Sequence, residues 1–244
     1  MEIVKSKLLS KYKNIVHGIS TRGDKFESTL QNNLSYSVND DPEIVSENRK
    51  MFYLKLRVKS LEIASLKQIH SSNIISVEKE GEYYNFDALV TSNKNLFLQI
   101  SIADCVPIII YDSINNIVAA VHSGWKGTLN EITFKTVKFI CQKFNSKPSG
   151  LIAFIGPAAS VCCYEVDKEV WKNFNLKHST KINSKSEKRF LDLKKVNRDQ
   201  LIKSGLLLKN IEISKYCTIC NKKFHSYRRD AKNSGRMMAL IGMN

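Results

Sequence analysis

Residues 99–122 read QISIADCVPIIIYDSINNIVAAVH, an apolar stretch interrupted at positions 103–104 and again at Asn115 and Asn116. Short apolar runs bounded by turn residues predict strands, so this segment predicts a strand, a turn at Ala103 and Asp104, a second strand through Tyr111, a turn, and a third strand ending at His122. Pro107 cannot donate to a ladder and predicts a strand edge or bulge just after Cys105. Residues 62–70 alternate, which places Ala64, Leu66, Gln68 and His70 on one strand face. Further strands are predicted over 151–155, closed by Gly156 and Pro157, and over 211–213 and 237–241.

Helical spacing predicts a helix over 42–54, with Asp41 as cap, Pro42 in the first turn, and Ile44, Val45 and Phe52 broadly on one side. Asn48 and Arg49 interrupt that side. Thr128 and Glu131 form a capping box that predicts a helix from there to about Phe144, whose free N-terminal amides suit an anion. Asp167 predicts a short helix, and residues 193–204 predict another, stopped by Gly205. Residues 177–188, rich in Lys, Ser and Asn, read as an exposed connection. Interleaved strands and helices give a layered α/β or α+β architecture, and spacing alone does not choose between parallel and mixed sheets.

No Pro/Gly/Ser-rich linker divides the 244 residues, so one domain over 1–244 is expected. No apolar run approaches the ~20 residues that span a bilayer. Lys5, Lys7 and Lys11 break up the start of the chain, against a signal peptide, and a soluble cytoplasmic protein is expected. The six cysteines then read as reduced thiols. Adjacent Cys162 and Cys163 would form only a strained bridge, and Cys141 reads as core filler. The net charge of +15 invites a reading as a non-enzymatic nucleic-acid-binding protein. The lysines are scattered, however, and no Arg-rich or RNP-like motif accompanies them, so no specific nucleic-acid partner is expected.

Three residues at the ends or interruptions of the apolar runs carry candidate chemistry: His70, Cys105 and His122. Zinc takes imidazole nitrogen and thiolate sulfur, and a catalytic zinc keeps three protein ligands and one open position. The ligands are far apart in sequence and match no finger or ribbon, so they meet only if distant strand ends pack together. Alternatively, Cys105 and His122 are the nucleophile and base of a cysteine hydrolase, oriented by Asp104 or Gln68. A dyad does not require His70, whereas the zinc site does. A second candidate, Cys217-x-x-Cys220 with His225, offers three ligands locally where structural zinc prefers four, and reads as core thiols. Multicopper chemistry needs many histidines, and the chain has five. Arg22, Arg49 and Arg228 are candidates to hold phosphate or ribose through the guanidinium fork. Gln68 is a candidate inward neighbour of the metal, its amide bonding toward the site. Asp104 either relays protons or holds its turn.

The segments KQIH (67–70), ADCVPIIIYD (103–112) and HSGWKGT (122–128) resemble the signature of the laccase-domain family, also called multicopper polyphenol oxidases and regarded as purine nucleoside phosphorylases. IGPAASVCCYEV (155–166), CTIC (217–220), SYRRD (226–230) and GRMMALIG (235–242) extend the resemblance over nearly the whole chain. It implies that the family's zinc ligands fall on His70, Cys105 and His122, with copper as the other metal in its history. It also implies an α+β fold of mixed sheets packed face to face with outer helices, in α/β/β/α layers. The implied activity is phosphorolysis of adenosine, inosine and S-methyl-5′-thioadenosine, with adenosine deamination beside it. The family's fold is similar to that of a deamidating toxin domain that uses a Cys-His pair. Departures fall at the substrate rim: the early loop HGISTRGD (17–24) lacks a usual second glycine after Gly23, Ala158 replaces a common cysteine, His225 a common aromatic, and Ser123 and Lys126 a usual alanine and arginine.

Overall fold

The computed structural model describes residues 1–23, 28–58 and 62–244. Among them, two six-stranded mixed sheets dominate. The first runs, in spatial order, Ile3–Val4 (β1), Ile15–Ser20 (β2), Met237–Met243 (β15), Phe97–Ile102 (β7), Ile63–Lys67 (β3) and Gly81–Tyr84 (β5). Its β7–β3 and β3–β5 contacts are parallel and the others antiparallel. The second runs Ile211–Ile213 (β14), Leu151–Ile155 (β10), Val106–Asp112 (β8), Ile117–Ser123 (β9), Ala88–Thr91 (β6) and Ile74–Ser76 (β4). Here only the outer pairs, β14–β10 and β6–β4, are parallel.

The predicted three-strand run is β7, β8 and β9, and the near-absence of alternation in β8 and β9 has a simple cause. Ile109, Tyr111, Val118 and Ala120 face the first sheet, where they pack with Leu98, Ile100, Ala239 and Ile241. Ile108, Ile110, Ala119 and Val121 face the other way, against Ile132, Val137 and Ile140 of a helix at Ile132–Phe144 and Leu193, Val196 and Leu201 near a helix at Leu193–Lys203. Both faces of the sheet are buried, so both must be apolar. A helix at Pro42–Leu56 (α1) closes the outside of the first sheet through Phe52 and Leu56, which meet Phe97, Met238 and Leu240. The result is the α/β/β/α layering that the resemblance implies. Asp41 caps α1 as expected, accepting from the Glu43 amide at 2.8 Å.

Several expectations are corrected. Residues 17–20 belong to β2 rather than to a loop, and Asp24 lies outside the described residues. The helix expected from Thr128 is two: Trp125–Leu129 (α2) and Ile132–Phe144 (α3), with Glu131 between them at φ 58°. Thr128 is therefore inside a helix, bonded to Ser123 and Asn197, and Glu131 pairs with Lys203 at 2.7 Å instead of closing a capping box. Lys168–Trp171 (α4) follows Asp167, which makes no side-chain cap bond, and Leu193–Lys203 (α5) precedes Gly205 at φ 105°. The stretch 177–188 contributes Ser179–Lys181 (β12) to a small antiparallel sheet with Arg189–Leu191 (β13) and Glu165–Val166 (β11). Pro107 lies inside β8, yet β10 pairs only from Ile108 onward, so the missing amide falls beyond that ladder.

Candidate metal centre

Two of the three candidate ligands sit where the chain leaves regular structure. β3 ends at Lys67, and His70 follows at φ 60°, off the face that alternation assigned it. Cys105 precedes β8, aimed by Asp104 at φ 81°, a conformation that Asp tolerates better than most residues. His122 lies near the end of β9. The ligand atoms of His70, Cys105 and His122 all lie within 4.8 Å of one another. Cys105 Sγ is 3.8 Å from His70 Nε2, and the two imidazole rings stand edge to face with centroids 4.9 Å apart.

One buried carboxylate that sequence reasoning missed, Asp87, organises the group. Its Oδ1 lies 2.8 Å from His122 Nδ1 and accepts the His70 amide at 3.0 Å. Its Oδ2 accepts the Ser71 amide at 2.6 Å and the Ser71 hydroxyl at 2.7 Å. Burial opposes its ionisation, but the bonds from His122 and Ser71 outweigh that and hold the carboxyl below its usual range. With Nδ1 engaged, His122 presents Nε2 to the shared space, the orientation that carboxylate partners impose on metal-binding imidazoles. The only sequence signal was an acid directly preceding the buried run of β6, indistinguishable from a turn residue.

Charge in the group forms a thiolate–imidazolium pair, so a metal ion bound there would take the thiolate and release the His122 proton. Burial opposes ionisation of Cys105, but His122 and then His70 outweigh it and bring the thiol down to about 6. Burial likewise opposes a proton on His122, and Cys105 with Asp87 outweighs that and raises it to about 9. The sulfur is thus held as thiolate, the form that ligates. Gly124, before α2, leaves room for the group: a Cβ there would stand 2.9 Å from the His70 ring and 3.1 Å from Cys105 Sγ. One soft and two borderline donors, with His70 and Cys105 accessible, suit zinc and also copper.

The three ligands open onto a cavity of about 780 Å³. Arg49, Gln68, Asp104 and Arg228 also line it, as does Arg236, which sequence reasoning did not single out. Tyr36, Tyr164 and Tyr227 add aromatic walls. Arg49 donates from Nε to the Leu34 carbonyl at 2.6 Å and lies over the Tyr36 ring at 4.4 Å. Arg228 donates to the Glu165 carbonyl and lies over Tyr164 at 5.1 Å. Arg22 does not line this cavity: it is buried, bonded to the Ser28 carbonyl and 3.8 Å from Asp230. The Gln68 amide finds its partners in the backbone of Ser101, two bonds of 2.8 Å that continue the β3–β7 pairing, rather than in a bond to His70. Asp104 holds its turn: Oδ1 accepts from Thr218 Oγ1 at 2.6 Å, and Oδ2 from Ser226 Oγ at 3.0 Å and the Arg228 amide at 2.7 Å. His225 is buried away from the cavity, its ring packed against Gly235.

Fold and site together define a layered α+β protein with a three-donor His/Cys centre at the floor of an arginine- and tyrosine-lined cavity. The family described as multi-copper polyphenol oxidoreductase laccase matches residues 16–244, and the chain belongs to it. It is 36% identical over 225 residues to a purine nucleoside phosphorylase of Clostridium acetobutylicum, covering 90% of this chain and 93% of that one. It is 32% identical over 225 residues to adenosine deaminase RL5 of an unknown prokaryotic organism, covering 86% of each. The crystal structure of hypothetical protein YfiH from Bacillus licheniformis superposes with a TM-score of 0.88 at 32% identity, covering 94% of this chain and 93% of that chain.

Proposed function

We propose that this chain is a zinc-dependent purine nucleoside phosphorylase acting on adenosine, inosine and S-methyl-5′-thioadenosine, with adenosine deamination as a second activity. The observation that carries the reading is the convergence of His70, Cys105 and His122 on a cavity whose volume suits a nucleoside with phosphate. Relatives named for these two activities support it. Zinc held there supplies Lewis-acid charge and lowers the pKa of water to about 7. Arg49, Arg228 and Arg236 hold phosphate by charge and forked donors, while the tyrosines flank the base. In phosphorolysis a phosphate oxygen bonds to the anomeric carbon, the glycosidic C–N bond breaks, and the departing base takes a proton. Asp104 positions Cys105 and Arg228 through its turn, and the buried guanidinium of Arg22 supports the rim at Asp230 rather than touching substrate.

The test is adenosine incubated with and without phosphate, read by chromatography and paired with metal analysis. Adenine and ribose 1-phosphate that require both phosphate and Cys105 support the reading. Inosine alone would keep the metal and overturn the reaction type.

A second reading has one specific observation in its favour. Cys105, His122 and Asp87 form a nucleophile–base–orienter row, with Asp87 in the role the sequence assigned to Asp104 or Gln68. That row is a cysteine hydrolase if purified protein carries no metal at His70 and stays active under chelation.

A further inference from the structure

Away from the cavity, Cys162, Cys163, Cys217 and Cys220 bring four sulfurs to within 4.8 Å of one another. The sequence reading found three ligands here by looking locally, at the CxxC and His225. The fold supplies the missing ones from elsewhere: the loop after β10 carries the adjacent cysteines against the loop after β14. The two loops are joined by a parallel bridge between Ala158 and Cys217 and by a 3.1 Å bond from the Thr218 amide to the Ala158 carbonyl. His225 takes no part.

We propose that these four cysteines form a structural zinc site of tetrathiolate type, separate from the centre at His70. Zinc–sulfur bonds of about 2.3 Å in a tetrahedron place sulfurs ~3.8 Å apart, so the cluster contracts by no more than about 1 Å to bind. The Asn221 amide closes the Cys217 turn on the Cys217 carbonyl at 3.2 Å. A tetrathiolate zinc carries a formal charge of −2, and a buried ammonium lies near it: Lys194 Nζ donates to the carbonyls of Ser214 and Tyr216, in the segment that leads to Cys217. All four positions on the metal are filled by protein, which marks a closed, structural site rather than a catalytic one.

The site joins the two loops that finish the cavity wall. Tyr164 follows Cys163 directly, and of the residues that clasp Asp104, Thr218 and Ser226 lie on the loop that begins at Cys217 and Arg228 on the short helix Tyr227–Asp230 that ends it. Arg229 binds the CTIC turn as well, donating to the Thr218 carbonyl at 3.0 Å and the Ile219 carbonyl at 2.9 Å.

Elemental analysis of the full chain, purified under reducing conditions, tests the assignment. Two zinc ions per chain are expected, with one remaining in Cys105→Ala and one in Cys217→Ser. Cobalt substituted into Cys105→Ala should show the intense absorption of a tetrathiolate centre. Should Cys217→Ser fail to fold, Cys162→Ser at an exposed position still reads the site, as faster release of one zinc to a chelator. A wild-type chain with one zinc that Cys105→Ala removes entirely would overturn the site. So would mass spectrometry showing these four cysteines paired as disulfides in active protein. Loss of the His70 centre alone would instead leave one zinc that Cys217→Ser removes.

Discussion

Asp87 ties two of the candidate ligands together, because one carboxylate serves both His70, through its amide, and His122, through its ring. An Asp87→Asn substitution keeps the size but turns an acceptor-only group into one that also donates. It then faces the Ser71 amide and hydroxyl with a donor of its own. The expected outcome is a 10- to 100-fold loss of zinc affinity, the usual scale for such outer partners, measured by competition with a chelator. Wild-type affinity in Asp87→Asn would show that His122 needs no orienting partner. The three candidate ligands stood out in the sequence by residue type at the ends or interruptions of apolar runs, but their spacing alone did not make them one set; the resemblance to the family did, and the fold brings their ligand atoms within 4.8 Å of one another. Asp87 did not stand out, since an acid before a strand is ordinary. Arg22 illustrates the opposite error: its fork suits phosphate, but only the fold reveals that Ser28 and Asp230 already engage it.

At the scale of elements, the turn between β7 and β8 is held from the far end of the chain. Asp104 collects three donors from residues 218–228, so the angle of Cys105 depends on a loop more than a hundred positions away. Asp104→Asn replaces one acceptor with a donor facing groups that themselves donate, and a stability loss of about 1–3 kcal/mol is expected from denaturant unfolding. If Asp104 only positions Cys105 and Arg228, kcat falls while the pH profile keeps its shape. A profile that loses a limb would restore the proton-relay role. Sequence patterning located β3, β7 to β10, β14, β15, α1 and α5, most of them through apolar runs, alternation or caps. It missed β12, whose three residues Ser179, Thr180 and Lys181 have no apolar face to signal them, and the break between α2 and α3, where Glu131 takes a left-handed conformation no pattern announces.

For the whole molecule, the charge of +15 and the buried histidines set the response to salt and pH. Scattered lysines predict weak nucleic-acid binding that tolerates sequence and falls steeply with salt, checked by titration at two ionic strengths. Sequence-selective binding at physiological salt would revive the non-enzymatic reading. The pH response turns on His17 in β2, whose Nε2 accepts the Ser6 amide at 2.9 Å, a bond available only to the neutral ring. Burial, with Lys5 nearby, pushes its pKa down to about 4. His225, buried close to Arg22, is pushed down to about 3 and acts in the same direction. An unfolded histidine takes up a proton near pH 6.5, so below that value the unfolded state binds more protons than the fold and stability falls with pH. The contribution of His17 is therefore complete above about pH 6.5 and lost as pH drops through about 4, on the order of 3 kcal/mol. Carboxylates held low in the fold, such as Asp199 beside His178, act chiefly at more acid pH, and His122, raised to about 9, and Cys105, lowered to about 6, act chiefly above pH 6, which leaves the window from about 6 to 4.5 to His17 and His225. Urea unfolding from pH 7 to 4.5 should show the decline, and His17→Gln, whose amide oxygen can accept the Ser6 bond without titrating, should flatten it. An unchanged slope in that variant would mean that the acid sensitivity arises elsewhere.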